Sequence, residues 1–171
     1  MRIALVTDAW FPQVNGVVRT LSRVKQELEV LGHRVEVIAP PAFRTVPCPT
    51  YPEIRLALLQ GAKVGRLLAA SGAEAIHIAT EGPLGLAARR WCLRRGLPFT
   101  TSYHTRFPEY VAARAPVPAA WGYRVMRWFH RPSAGVMVAT QSLREELAAR
   151  GFANLKPWTR GVDLDLFRPR P

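Results

Sequence analysis

The chain has 171 residues, of which 24 are lysine or arginine and 12 are aspartate or glutamate, so its formal net charge is +12. Apolar residues make up 49% of it, which excludes a disordered chain, and its length suits one domain with its own core. It has no apolar run of the roughly 20 residues that cross a bilayer, no recognisable signal peptide, and too few cysteines for a disulfide scaffold. We therefore expect a cytoplasmic protein with reduced cysteines.

The first 39 residues predict a strand, a helix and a second strand. The sequence IALV at 3–6 is a continuous apolar run, typical of a buried parallel strand. Apolar residues recur every three or four positions from Val17 to Leu31, which predicts an amphipathic helix that ends at Gly32. The sequence RVEVIA at 34–39 predicts the next strand. Together these three elements form a βαβ unit.

Prolines dominate the following connection. Five of them fall between Pro40 and Pro52, and they predict an irregular, extended segment with a short strand after it at 53–57. The rest of the chain predicts helices at 63–70, 84–95, 107–113, 119–130 and 142–150, and strands at 75–79, 98–103, 135–139 and 155–158. This alternation predicts an α/β fold, a Rossmann-like three-layer domain with a mostly parallel sheet.

Polar residues follow several of the predicted strands, where ligands bind in doubly wound folds. Asp8, Asn15 and Gly16 come after the first strand, Glu81 after a later one and His104 after the next. Gly16 begins a helix, so it could let a phosphate approach the backbone, or it could serve the turn alone. His104 could donate a hydrogen bond or carry a proton, or it could be structural.

Other candidate residues favour structural roles. Glu81 could bind sugar hydroxyls or cap the next helix, and its position favours the cap. His77 is expected to pack within a strand, and His130 to be a cation at a helix C-terminus. The sequence has no GxGxxG after the first strand, no GxxxxGK[ST] and no metal-ligand spacing, which disfavours a dinucleotide site, a P-loop and a metal centre.

Arginines account for 21 of the 24 basic residues, as is typical of a GC-rich genome. They cluster on two predicted helices. One carries Arg89, Arg90, Arg94 and Arg95. Like charges spaced this way repel each other, and an anionic partner would reduce that repulsion. The other, at 121–131 (WGYRVMRWFHR), has two faces, with Arg124, Arg127 and Arg131 on one and mainly Trp121, Val125, Trp128 and Phe129 on the other. Such a helix can lie in a membrane interface, or it can cover the sheet with its aromatics in the core.

Six stretches together resemble the N-terminal half of the retaining glycosyltransferases of family 4, which have the GT-B fold. They are RIALVTDAWFPQVNGVVRTL (2–21), GHRVEVIAP (32–40), HIATEGPLGLAAR (77–89), SYHTRFPEY (102–110), ATQSLREELAARG (139–151) and RGVDLDLFRP (160–169). The resemblance spans nearly the whole chain. The NGV and YHTRFPEY motifs are most similar to the branch that transfers mannose, or a related sugar such as glucose, to lipid or polyol acceptors.

The resemblance implies two Rossmann-like domains that face a cleft. Residues 1–159 would be the acceptor domain and 160–171 the start of the interdomain linker, with the donor domain outside this chain. The donor would be a nucleotide sugar and the acceptor a lipid or polyol, with the anomeric configuration retained and with no metal or other cofactor. His104 would be the catalytic residue and would reach the donor sugar, while Gly16 would touch the donor diphosphate through its backbone. The other implied substrate-binding residues are Asp8, Asn15, Glu81, Tyr103, Thr105, Arg106 and Tyr110.

The isolated chain is expected to be inactive. In the family, an E-x7-E stretch and an Arg/Lys pair in the other domain stabilise the leaving diphosphate, usually a dominant catalytic term. One alternative is a basic Rossmann-like module that binds nucleic acid or an anionic surface. No nucleic-acid motif appears, so we expect no nucleic-acid partner, and attachment to the inner face of the membrane is left open. A flavodoxin-like or response-regulator domain would need an acidic cluster where only Asp8 stands.

Overall fold

Six parallel strands form the centre of the protein, which the computed structural model describes over residues 1–48, 51–104, 108–109, 118–159 and 161. In chain order they are β1 (Arg2–Val6), β2 (Arg34–Ile38), β5 (Ala75–Ile78), β6 (Thr100–Tyr103), β7 (Gly135–Val138) and β8 (Leu155–Pro157). They pair in the order β2-β1-β5-β6-β7-β8. The predicted parallel α/β sheet is confirmed.

Five helices of the described part of the chain cover the two faces of this sheet. They are α1 (Gly16–Val30), α2 (Gly61–Ser71), α3 (Pro83–Arg94), α4 (Ala119–His130) and α5 (Gln141–Ala149). Successive side chains of a strand point to opposite faces of the sheet. On one face, Leu5 of β1 packs with Leu21 of α1. On the other face, Val6 of β1 packs with Val64 of α2 and Leu84 of α3. Helix α1 therefore covers one face and α2 to α5 the other. No helix in the described ranges is both long and apolar enough to cross a membrane.

Glycines end four of these helices at the predicted places. Gly32, Gly72, Gly96 and Gly151 have φ angles of 82°, 54°, 63° and 80°, in the left-handed region that a residue with a β-carbon adopts only at a cost. The predicted helices and strands within the described ranges agree with the structure to within a few residues. The predicted helix at 107–113 lies largely outside those ranges.

The proline-rich segment is more ordered than its composition predicted. Pro40–Ala42 forms a turn of 3-10 helix, and β3 (Val46–Cys48) pairs antiparallel with β4 (Tyr51–Leu56). Proline is tolerated in this small ribbon because each of its strands has an edge where no partner needs the missing N–H. The prediction of an irregular connection was therefore wrong for Pro40–Ala42 and β3, whereas the strand predicted at 53–57 corresponds to β4.

Candidate functional site

The parallel register brings the predicted site residues to one edge of the sheet. Val6 pairs with Ile78, and Tyr103 pairs with Val138, so these strands finish close to the same level. The loops that follow them carry Asp8, Glu81 and His104. The edge is thus the carboxyl end of a doubly wound sheet, where ligands bind in such folds.

Asp8 holds the start of α3 against the end of β1. Its carboxylate accepts hydrogen bonds from the backbone N–H of Leu84 (2.9 Å) and of Gly85 (3.3 Å) and from the hydroxyl of Thr80 (2.8 Å). Burial raises the pKa of this carboxyl, and the three hydrogen bonds oppose that shift. Asp8 is therefore the N-terminal cap of α3, supplied from a distant part of the chain. Its role in substrate binding stays a prediction.

Two glycines allow this close approach. A β-carbon added at Gly82 would lie 2.5 Å from the carboxyl carbon of Asp8, and one added at Gly85 would lie 1.9 Å from the carbonyl oxygen of Thr80. Real β-carbons do not come this close to other heavy atoms. Any larger residue here would move α3 away from the sheet.

The start of α1 is open instead. Asn15 is its N-cap, with Oδ1 accepting from the N–H groups of Val17 and Val18 at 3.0 Å each. Gly16 is exposed, its φ is not among the positive ones, and a β-carbon added to it would have no neighbour within 4 Å. No contact with the described residues and no positive φ requires a glycine there. The reading of Gly16 as a residue needed only for the turn is therefore wrong.

Glu81 forms a pair with a buried histidine. The Nε2–H of His130 donates to its Oε1 at 3.1 Å, and His130 Nδ1 lies 2.9 Å from the hydroxyl of Thr101. The cap of α3 is Asp8, so the prediction that Glu81 caps this helix was wrong. His130 ends α4, as predicted, but its side chain is buried, at 1% exposure.

Tyr103 lies beside this pair at the end of β6. Its ring packs against those of His130 and Phe152, and its hydroxyl is buried, which raises the pKa of the phenol. The neighbouring Tyr123 of α4 donates to a carboxylate oxygen of Glu109. Burial, with the negative charge of Glu109, raises the pKa of Tyr123 to about 12. Both phenols are therefore neutral, and they line the α3 side of the edge.

His104 lies on the other side of the sheet, the side that α1 covers. Its ring centroid is 5.6 Å from that of Trp158, which in turn lies 5.8 Å from the ring of His77. His77 is bonded through both nitrogens, to Thr100 Oγ1 at 2.8 Å and Ser102 Oγ at 2.7 Å. Burial, with a contribution from His104, lowers the pKa of His77 to about 4. The predicted packing role of His77 is confirmed.

The edge therefore divides the predicted residues into two groups. Asn15, Gly16 and His104 lie on the α1 side, and Asp8, Glu81 and Tyr103 lie on the α3 side. Thr105, Arg106 and Tyr110 lie outside the described residues. Across the ranges that the structure covers, no three histidine, cysteine, aspartate or glutamate side chains come together as metal ligands would.

The sequence-based predictions missed the burial of two polar residues, Arg89 and His130. His130 lies on the same buried stripe of α4 as Tyr123 and Met126, a spacing of three and four that could have revealed it. Arg89 was predicted in a basic cluster suited to an anionic partner, but it is buried, and its guanidinium donates to the carbonyl oxygens of Trp128 and Phe129 at 2.9 Å each. It stabilises the C-terminal turn of α4.

The fold is that of a Rossmann-like domain, and its candidate site lies at the carboxyl edge of the sheet. Residues 14–166 match Glycosyltransferase Family 4, and the chain belongs to this family. The crystal structure of Anabaena HepE in complex with UDP-glucose aligns with the whole chain and 47% of that protein, with a TM-score of 0.61 at 17% identity. The domain thus has the Rossmann-like fold of one half of a GT-B glycosyltransferase.

Two relatives of known activity are also similar in sequence. The GDP-mannose-dependent alpha-mannosyltransferase of Mycobacterium tuberculosis is 27% identical over 99% of this chain and 50% of its own length. The alpha-monoglucosyldiacylglycerol synthase of Streptococcus pneumoniae is 32% identical over 65% of this chain and 28% of its own length. The chain spans about half the length of the mannosyltransferase that it matches.

Proposed function

We propose that this chain is the acceptor-side half of a retaining glycosyltransferase that transfers a sugar from a nucleotide-sugar donor to a lipid or polyol acceptor. Residues 1–159 would form the acceptor domain, and 160–171 would lead towards the donor half. The names of the relatives support a mannose or glucose donor and a lipid acceptor. A cytoplasmic location stays a prediction from the sequence.

The single observation that carries the proposal is the open start of α1. A helix N-terminus presents N–H groups and a partial positive charge to an anion. Gly16 has no side chain there to hold a diphosphate away, although neither its φ nor its surroundings require glycine. The missing side chain is therefore best explained by the approach of a ligand.

His104 is the proposed catalytic residue because it follows β6 on the same side of the sheet as Gly16. A histidine here can donate a hydrogen bond to the donor sugar while the diphosphate lies at α1. Trp158 packs beside its ring and restricts its position. We expect helix N-termini and basic side chains, rather than a metal ion, to hold the diphosphate.

Glu81 is the proposed acceptor ligand on the α3 side. Its Oε1 receives the hydrogen bond from buried His130, which fixes the carboxylate, and the side chain is still 21% exposed. A carboxylate held in this way can accept hydrogen bonds from an acceptor hydroxyl. Tyr103 and Asp8 lie beside it and complete the same side of the edge.

The first experiment measures transfer by the 171-residue chain alone, with GDP-mannose or UDP-glucose as donor and diacylglycerol as acceptor. We expect no turnover, because stabilisation of the leaving diphosphate is assigned to the other half. Turnover comparable to that of a full-length relative would contradict the assignment of diphosphate stabilisation to the other half.

The second experiment joins this chain to the C-terminal half of the Mycobacterium tuberculosis mannosyltransferase. We expect transfer from GDP-mannose, and a loss of about 100-fold in kcat/KM for His104→Ala and for Gly16→Ala. Gly61→Ala is the matched control, because Gly61 also begins a helix with nothing within 4 Å of an added β-carbon. Equal losses for Gly61→Ala and Gly16→Ala would contradict the proposed diphosphate site.

A further inference from the structure

Helices α3 and α4 together expose large apolar side chains. Trp121 and Trp128 of α4 are 70% and 53% exposed, and Val125 between them is exposed as well. These three residues are spaced by four and by three, so they lie on one side of the helix. Leu86 and Leu93 of α3 are exposed in the same way, seven positions apart. Exposed apolar clusters of this kind mark interaction sites.

Arg89 joins the two helices into one surface. Its guanidinium donates to two carbonyl oxygens at the end of α4 and lies 4.0 Å from the centre of the Trp128 ring. Trp128 is thereby held beside α3, with a shallow groove between the helices. The groove is lined by Leu86, Arg89, Arg90, Leu93, Arg94 and Trp128. We call this groove, with Trp121 and Val125, the α3–α4 face.

The charge of this region is strongly one-sided. Between Gly82 and Arg144 the sequence has ten arginines and a single acidic residue, Glu109, which accepts a hydrogen bond from Tyr123. Neither α3 nor α4 contains an aspartate or a glutamate. Among the described side chains, the arginines of these two helices form no ion pair with a carboxylate. The face therefore offers positive charge beside apolar side chains.

We propose that the α3–α4 face docks on the surface of an anionic lipid bilayer. Tryptophan is enriched at the level of lipid headgroups, where its ring is partly apolar and its N–H can be hydrated. Arg90 and Arg94 would contact lipid phosphates, and Trp121, Val125 and Leu93 would enter the boundary of the acyl chains. Nucleic acid fits less well, because an exposed valine and two exposed leucines have no favourable contact with a phosphate backbone.

This inference goes beyond the proposed sugar transfer, because a bilayer could bind the face whether or not the chain takes part in transfer. The structure also corrects the alternative prediction that α4 covers the sheet with all of its aromatics in the core. Tyr123, Met126, Phe129 and His130 are buried against the sheet, while Trp121 and Trp128 face outward. The aromatic and the basic residues thus share one exposed surface.

The test is sedimentation of the 171-residue protein with vesicles of phosphatidylcholine alone and of phosphatidylcholine mixed with phosphatidylglycerol. We expect binding only to the mixed vesicles, weakened by salt, with a blue shift of tryptophan fluorescence that is reduced in Trp121→Ser. The double variant Arg90→Gln/Arg94→Gln should lower the affinity about tenfold or more. The matched control is Arg23→Gln/Lys25→Gln on α1, which removes the same charge from the opposite side of the sheet.

Three outcomes would overturn the proposal. One is no binding to the mixed vesicles by protein whose circular dichroism shows a folded state. Another is an equal loss of affinity in the α1 control pair, which would mean that only net charge matters. The third is displacement of the bound protein from vesicles by mixed-sequence DNA at low concentration, which would assign the face to nucleic acid.

Discussion

Helices α1 and α3 both begin at the carboxyl edge of the sheet, but their first turns differ in exposure and in what caps them. Helix α1 is capped by Asn15, which directly precedes it and is exposed. Helix α3 is capped by the buried Asp8 from the end of β1, and the N–H groups of Leu84 and Gly85 are used by its carboxylate. The second arrangement fixes a helix, and the first leaves room for a ligand.

The glycines at these two helix starts differ for the same reason. Gly82 and Gly85 are required by Asp8 and Thr80, which lie too close for any β-carbon, whereas Gly16 has open space around it. A glycine in a motif can therefore allow close packing within the protein or leave space for a ligand, and its sequence context does not distinguish the two roles. This contrast gives the start of α3 a structural role and the start of α1 a proposed role in ligand binding.

The largest expected effect is that of Gly85→Ala compared with Gly16→Ala. Because the new methyl group would meet the backbone of Thr80, Gly85→Ala should lower the free energy of unfolding by about 3 kcal/mol. Gly16→Ala should leave it unchanged or raise it by roughly 0.5 kcal/mol. Urea denaturation of the two variants measures both changes. Equal stabilities would contradict the close packing of α3 on the sheet.

The next effect concerns His77, on the α1 side of the sheet. Its pKa of about 4 in the folded state is below the ordinary 6.5, so the unfolded chain binds the proton more readily between these pH values. Stability should therefore fall as the pH drops from about 6.5 to about 4, by up to about 3 kcal/mol in total.

Urea denaturation between pH 6.5 and 5, where most carboxylates stay ionised, measures this contribution. His77→Gln should flatten the pH dependence there, because glutamine can keep hydrogen bonds to Thr100 and Ser102 without titrating. A slope that persists unchanged in His77→Gln would show that another group causes it.

The smallest effects compare the two caps directly. Asp8→Ala leaves the buried N–H groups of Leu84 and Gly85 without an acceptor and should cost about 2 kcal/mol of stability. Asn15→Ala frees N–H groups that water can reach and should cost about 1 kcal/mol. Thermal unfolding followed by circular dichroism ranks the two variants. A larger cost for Asn15→Ala would reverse the assignment of the closed and open helix starts.

The sequence by itself determined the order and type of the elements. Local periodicity and backbone geometry predict these elements without any tertiary contact. Examples are the apolar run at 3–6, the periodic apolar stripe of α1 and the helix ends at Gly32, Gly96 and Gly151. The same local patterns, placed at strand ends, located the candidate site at one edge of the sheet. Strand β4 was predicted, but β3 and its pairing with β4 were missed, because prolines are tolerated only at edges and the presence of an edge depends on tertiary pairing.

Only the tertiary structure decided which polar side chains are used within the protein. Asp8 and Leu84 are 76 positions apart, so no sequence spacing predicts that one caps the other. Glu81 with His130, and Arg89 with the end of α4, are pairs of the same kind. Burial and hydrogen bonding depend on which elements pack together. That packing turned Arg89 and His130 inward and left Gly16 and Trp121 exposed to solvent.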